Sequence, residues 1–128
     1  MGSRKSVSIG GLRIGGGVPV RVESMLKTRL TDIEGCAAET EALAAAGCEL
    51  ARVALPDERL AASFAELIKK SVLPLMADIH FDHRLALAAL KAGCRAIRIN
   101  PGNMSGSAGL AEVIAAAKDT GAVIRIGA

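Results

Sequence analysis

Short aliphatic runs, most of them broken by a single charge, alternate along this chain with segments whose apolar residues recur at helical spacing. Residues 6 to 17 alternate apolar and polar around Gly10 and Gly11, the pattern of a β-hairpin with a glycine turn. Gly15 to Gly17 lack the lysine spacing of a phosphate loop and do not lead from a strand directly into a helix, so they read as a hinge. Pro19 opens a strand, Val18 to Glu23, and a polar loop follows from Ser24 to Thr31. Thr31 to Ala46 carries a capping residue, an acid in its first turn, helix-forming alanines and a glycine stop at Gly47, which predicts a helix. Leu50 to Leu55 is a strand closed by Pro56, and Glu58 to Lys70 a helix with Leu60, Phe64, Leu67 and Ile68 near helical spacing. The rest reads as strand Leu75 to Ile79, helix Asp82 to Ala92 and strand Ala96 to Ile99. A loop from Pro101 to Ala108, a helix Leu110 to Asp119 and a strand Val123 to Ile126 complete the chain.

Regular alternation of strand and helix predicts parallel strands joined by right-handed crossovers. An internal echo supports repeated units: AlaGlyCysGluLeuAlaArgVal at 46 to 53 resembles AlaGlyCysArgAlaIleArgIle at 92 to 99, and ThrGlyAlaValIleArgIle at 120 to 126 repeats the idea one residue shorter. The predicted fold class is α/β, a partial (β/α)8 TIM-type barrel of about five parallel strands and four helices after the N-terminal hairpin. Residues 1 to 128 form one portion of such a domain, since a complete barrel usually needs about twice this length.

Composition narrows the function classes. The chain has two aromatic residues, Phe64 and Phe81, and no Trp or Tyr, which disfavours single-stranded nucleic-acid binding built on stacking platforms. Its net charge of +3 comes from interspersed acids and bases, a balance that suits a small anionic ligand at least as well as a nucleic acid. Cys36, Cys48 and Cys94 are odd in number and show no CxxC spacing, so they read as small buried hydrophobes. With no signal-peptide core or membrane-length apolar run in these residues, a reducing cytoplasm is the expected setting and no membrane partner is expected.

The candidate chemistry lies between Met76 and Asn103. Side chains alternate across a strand, so Asp78 shares a face with His80, and Arg98 with Asn100. With the strands side by side, Arg52, Asp78, Arg98 and Arg125 form a series, and one Asp cannot pair three arginines well. The surplus of guanidinium groups points to an anionic ligand at the C-terminal strand ends, aided by the helix start near Ser107 to Leu110. The alternative is that Arg52, Arg98 and Arg125 are capping or ion-pair residues that snorkel out of the sheet. His80 serves as acid or base, as metal ligand or as a substrate-contacting group; no metal site is predicted, because a DxH pair alone is weak. His83, at a helix start, reads as a solvated cap residue, while Asn100 and Asn103 flank Pro101 and Gly102 in a turn.

Several blocks resemble a known family. The glycine-rich start, GluSerMet at 23 to 25, AlaGlyCysGluLeuAlaArgValAlaLeuProAsp at 46 to 57, LeuMetAlaAspIleHisPheAspHisArgLeuAla at 75 to 86, ArgIleAsnProGlyAsn at 98 to 103 and ArgIleGly at 125 to 127 are together similar to 4-hydroxy-3-methylbut-2-enyl diphosphate synthase. The resemblance implies an iron–sulfur oxidoreductase of the non-mevalonate isoprenoid pathway, which reductively opens methylerythritol cyclodiphosphate with loss of water. It implies diphosphate contacts at Arg52, Arg98, Arg125 and Asn103, with Asp78, His80 and Asn100 as catalytic-site residues at the barrel mouth. It further implies an electron donor such as flavodoxin or ferredoxin, and a homo-oligomer. The family's [4Fe–4S] cluster is held by cysteines of a C-terminal domain that Cys36, Cys48 and Cys94 do not match, so no cluster is expected on this chain and the chain alone is expected to be inactive. One departure lies at the first strand, where the family usually has GlnSerMetThr and this chain has Glu23, Ser24, Met25 and Leu26. The rival readings are another TIM-barrel enzyme for a phosphorylated or pterin-like substrate, and a non-catalytic half barrel that self-associates through its edge strands.

Overall fold

The computed structural model of the chain describes residues 5–9, 11–17, 21–80, 82–100 and 106–127, with the side chains of 106 and 107 left aside. Two strands, β1 (Ser6–Ile9) and β2 (Leu12–Gly15), form the predicted antiparallel hairpin, with Ile9 opposite Leu12. The remaining strands are β3 (Glu23–Met25), β4 (Leu50–Ala54), β5 (Leu75–Asp78), β6 (Ala96–Ile99) and β7 (Val123–Ile126). They form one parallel sheet in the order β3-β4-β5-β6-β7, the order expected of successive right-handed crossovers. Between them run the helices α1 (Ile33–Ala45), α2 (Ala61–Lys70, entered by a 3-10 turn at Glu58–Leu60), α3 (His83–Lys91) and α4 (Gly106–Thr120).

Local chemistry fixes most of these boundaries. Asp32, Asp57 and Asp82 each sit just before a helical segment and accept a hydrogen bond from a backbone N–H of its first turn. Gly47, Gly93 and Gly121 follow α1, α3 and α4 with φ of +100°, +104° and +72°, the left-handed stop that a residue with a Cβ adopts at a cost. Most predicted boundaries shift by no more than one or two residues, and two move further. The first strand was expected over Val18 to Glu23, but Arg21 and Val22 stand outside the ladder, which begins at Glu23 opposite Leu50; residues 18–20 lie outside the described set. Helix α4 starts at Gly106, about a turn before the predicted Leu110, because Gly106, Ser107 and Gly109 read as loop residues although the backbone there is helical.

The two faces of the sheet differ. One face, with Ala51, Val53, Ala77, Ile79, Ile97 and Ile99, is sealed under the helices by Phe64, Leu67, Leu85, Leu90 and Val113. The opposite face is apolar towards the strand starts, where Leu50, Met76 and Ala96 pack with Ile9 and are flanked by Leu12, Ile14 and Val123. The hairpin therefore plugs that end of the inner face. Further along the same strands the inner face becomes charged, and that layer is the candidate site.

Candidate functional site

Parallel register sets which side chains can meet. Asp78 lies opposite Arg98, and Arg98 opposite Arg125, so these three form a row across β5, β6 and β7. Arg52 is opposite Met76, two residues short of that row, and Glu23 lies opposite Leu50 on the far edge strand. All belong to one face, because each is displaced from the next by an even number of residues.

Asp78 is the anchor. It is 2% exposed, with Arg98 Nη1 donating to Oδ1 at 3.2 Å and Arg52 Nε lying 3.2 Å from Oδ2. The Arg52 Nε–H is not directed at that oxygen and, although buried, has no hydrogen-bond acceptor among the described residues. A carboxylate this deeply buried requires cationic partners, and two guanidinium groups provide them. His80 stands beyond the strand end, half exposed, with Nε2 3.8 Å from Asp78 Oδ2. Asn100 directly follows β6 at the same sheet end, and Asn103 lies outside the described residues, as do its neighbours in the stretch 101–105.

A second carboxylate completes the cluster. Glu23 Oε1 and Oε2 accept from Arg125 Nη1 at 2.9 and 3.1 Å, and Arg52 Nη1 approaches Oε1 at 3.4 Å. The sheet is curled so far that its first and last strands touch through these side chains. Sequence reasoning placed the three arginines and Asp78 in one series but assigned Glu23 no part in it. The signal was present, since Glu23 ends the predicted first strand as Asp78 ends its own, and three arginines with one Asp left charges unaccounted for. Three guanidinium groups thus share two carboxylates, and the cluster retains positive charge.

The neighbouring rim is occupied by local pairs. Arg59 folds back on Asp57 and Arg84 on Asp82, with Arg84 Nη2 donating to Oδ2 at 2.9 Å. Hydrogen bonds from these arginines hold both carboxyl groups below their usual range. With Pro56, Glu58 and His80 they line an open cleft beside the arginine cluster. His83 departs from the expected solvated cap. Asp82 is the cap, while the His83 ring is half buried against Gly109 of α4, its Nδ1 buried without a hydrogen-bond partner among the described residues.

The cysteines bear on the iron–sulfur cluster that the resemblance implies for the family. Cys36, Cys48 and Cys94 are all buried and free, and each Sγ is directed at backbone carbonyls, as Cys94 is at Ala96 O, 2.9 Å away. Burial pushes the Cys36 and Cys94 thiols up, against formation of the thiolates that iron requires. Cys48 and Cys94 precede β4 and β6, at the sheet end opposite the arginines. These residues do not fit an iron–sulfur cluster, and among the described residues no group of three or more His, Cys, Asp or Glu is placed to hold a metal ion.

Against known families, residues 4–128 match the GcpE TIM-barrel domain. The chain belongs to the GcpE TIM-barrel family. Its relatives in this family include proteins named 4-hydroxy-3-methylbut-2-en-1-yl diphosphate synthase (flavodoxin). That of Maridesulfovibrio salexigens is 49% identical over 96% of this chain and 34% of its own length. That of Bacillus subtilis is 47% identical over 96% of this chain and 33% of its own. The chain thus spans about a third of the length of the relatives it matches. Among solved structures, Yersinia pestis DHPS superposes with a TM-score of 0.67 at 15% identity, over 95% of this chain and 48% of that one. Xanthomonas albilineans dihydropteroate synthase gives 0.61 at 20% identity, over 93% and 48%. At that identity the likeness shows the fold alone. It agrees with the GcpE match on a partial TIM barrel, the predicted architecture.

Proposed function

We propose that this chain supplies the diphosphate-binding wall of a 4-hydroxy-3-methylbut-2-enyl diphosphate synthase that takes methylerythritol cyclodiphosphate as substrate. The observation that carries the reading is the gathering of Arg52, Arg98 and Arg125 at the C-terminal ends of parallel strands, with two carboxylates between them among the described residues. Active sites of TIM barrels form at that end of the strands, and guanidinium forks match phosphate oxygens in both charge and geometry. Asp78 acts as a positioning residue: buried beneath Arg52 and Arg98, it fixes how they present their remaining N–H groups. His80, at the exposed edge, and Asn100 and Asn103, in the segment after β6, are assigned to the substrate's remaining polar groups. Reducing chemistry from a [4Fe–4S] cluster, with flavodoxin as the donor named for the relatives, belongs to parts of the full-length enzyme other than these residues, so the chain by itself binds without turnover.

Titration calorimetry of the 128-residue chain with pyrophosphate tests this reading. Weak saturable binding is expected, falling about tenfold in Arg98→Ala and less in the more exposed Arg125→Ala, with thermal melts showing that each variant folds. Equal binding by the wild type and both folded variants would make the arginines structural. Turnover of the cyclodiphosphate by this chain with reduced flavodoxin would overturn the division of labour.

A further inference from the structure

The two carboxylates of the arginine cluster are not equivalent. Asp78 is 2% exposed and engages Arg52 and Arg98 from beneath, so nothing in solution can replace it. Glu23 is 25% exposed at its side chain, and its principal partner Arg125 is 47% exposed. It reaches Arg125 from the opposite edge strand, with both oxygens on one guanidinium nitrogen and one of them also near Arg52. One carboxylate spanning two arginines at hydrogen-bond distance is the arrangement that a bridging phosphate oxygen would adopt.

We propose that Glu23 is an internal competitor for the anion site, a carboxylate that a diphosphate must displace from Arg52 and Arg125 before it can use them. The inference rests on the diphosphate reading above and adds a residue that sets the affinity of that site. Left in place beside a bound diphosphate, the Glu23 charge would repel each phosphoryl charge at contact distance, so ligand and carboxylate exclude one another. Displacement is feasible because both partners already reach solvent and an exposed ion pair contributes little to folding. In the absence of ligand, the same carboxylate screens Arg52 and Arg125 from each other and keeps them converged. Glu23 therefore trades affinity for a site that is already shaped when the ligand arrives.

The test is pyrophosphate titration of the 128-residue chain at low ionic strength, comparing the wild type with Glu23→Gln, Glu23→Ala and Arg98→Ala. Glu23→Gln keeps the side-chain shape and one acceptor while removing the charge; it is expected to bind about tenfold more tightly than the wild type. Glu23→Ala is expected to bind more tightly as well, by a smaller factor, because the arginines lose their spacer. If both variants fold, as judged by their melts, yet bind no more tightly than the wild type while Arg98→Ala loses binding, Glu23 is a positioning residue and the competition is wrong, with the diphosphate reading intact. If no variant binds, Glu23→Gln included, the diphosphate reading itself falls.

Discussion

Arg98 can lie against the end of β7 because residue 127 has no side chain. A Cβ there would stand 2.6 Å from Arg98 Cζ and 2.8 Å from Nε, far inside van der Waals contact. The atoms it meets are the far end of a flexible side chain, so Gly127→Ala is expected to fold, but to turn the guanidinium away from its place above Asp78 and to lower the melting temperature, because the buried carboxylate loses a cationic partner. Pyrophosphate affinity should then fall roughly threefold to tenfold, the effect of misdirecting one charge-assisted hydrogen bond. Unchanged affinity in a folded Gly127→Ala would show that Arg98 does not need this orientation. Single residues were legible in the sequence where the pattern itself forced a question, as an Arg inside Ala-Ile-Arg-Ile does. Glu23 escaped because its role is defined by partners 29 and 102 residues away, a relation that local periodicity does not encode.

Among the elements, the type of each was readable because most strand–helix units are punctuated by their own chemistry: an Asp cap at Asp32, Asp57 and Asp82, and a glycine stop after α1, α3 and α4. The first strand was placed too early because Val-Pro-Val-Arg-Val alternates like a strand, whereas the ladder is set by β4. Chain beyond β3 is tied down by a different device. Lys27 and Thr28 donate their backbone N–H groups to the Glu39 carboxylate of α1, at distances of 2.9 to 3.2 Å. Burial opposes ionisation of Glu39, but these donors outweigh it and hold the carboxyl below its ordinary value of 4.5. The unfolded chain therefore takes up the proton first as pH falls. The stabilisation is complete above the unfolded value and is lost as pH drops through the lower, folded one. Glu39→Gln is expected to cost about 1 kcal/mol at neutral pH and to flatten the fall in melting temperature as pH drops below the ordinary value of 4.5. Parallel acid curves for the variant and the wild type would place the acid sensitivity elsewhere, the depressed Asp57 and Asp82 being the next groups to examine.

On the scale of the whole molecule, the sheet has two edges, β3 and β7, each with one neighbour among the described strands. That a partial barrel was expected follows from counting units against the length a full barrel requires; that its inner face is layered, apolar over the hairpin and charged above, was not legible. The layering needs the register of five strands, and a sequence states register only indirectly. The contact between Glu23 and Arg125 spans the two edges, 102 residues apart in the chain. Closing a loop of that length costs about 4 kcal/mol of chain entropy, whereas an exposed ion pair returns roughly 0.2–1 kcal/mol. The pair cannot draw the edges together. Curvature has to be built by the successive strand–helix units, each closing a much shorter loop, and the pair can form only once they are in place. In folding kinetics, neutralising either partner is accordingly expected to leave the folding rate unchanged and to appear as faster unfolding alone, measured by stopped-flow chevrons. The same two side chains that meet at the centre of the site would then be the last to find each other when the chain folds.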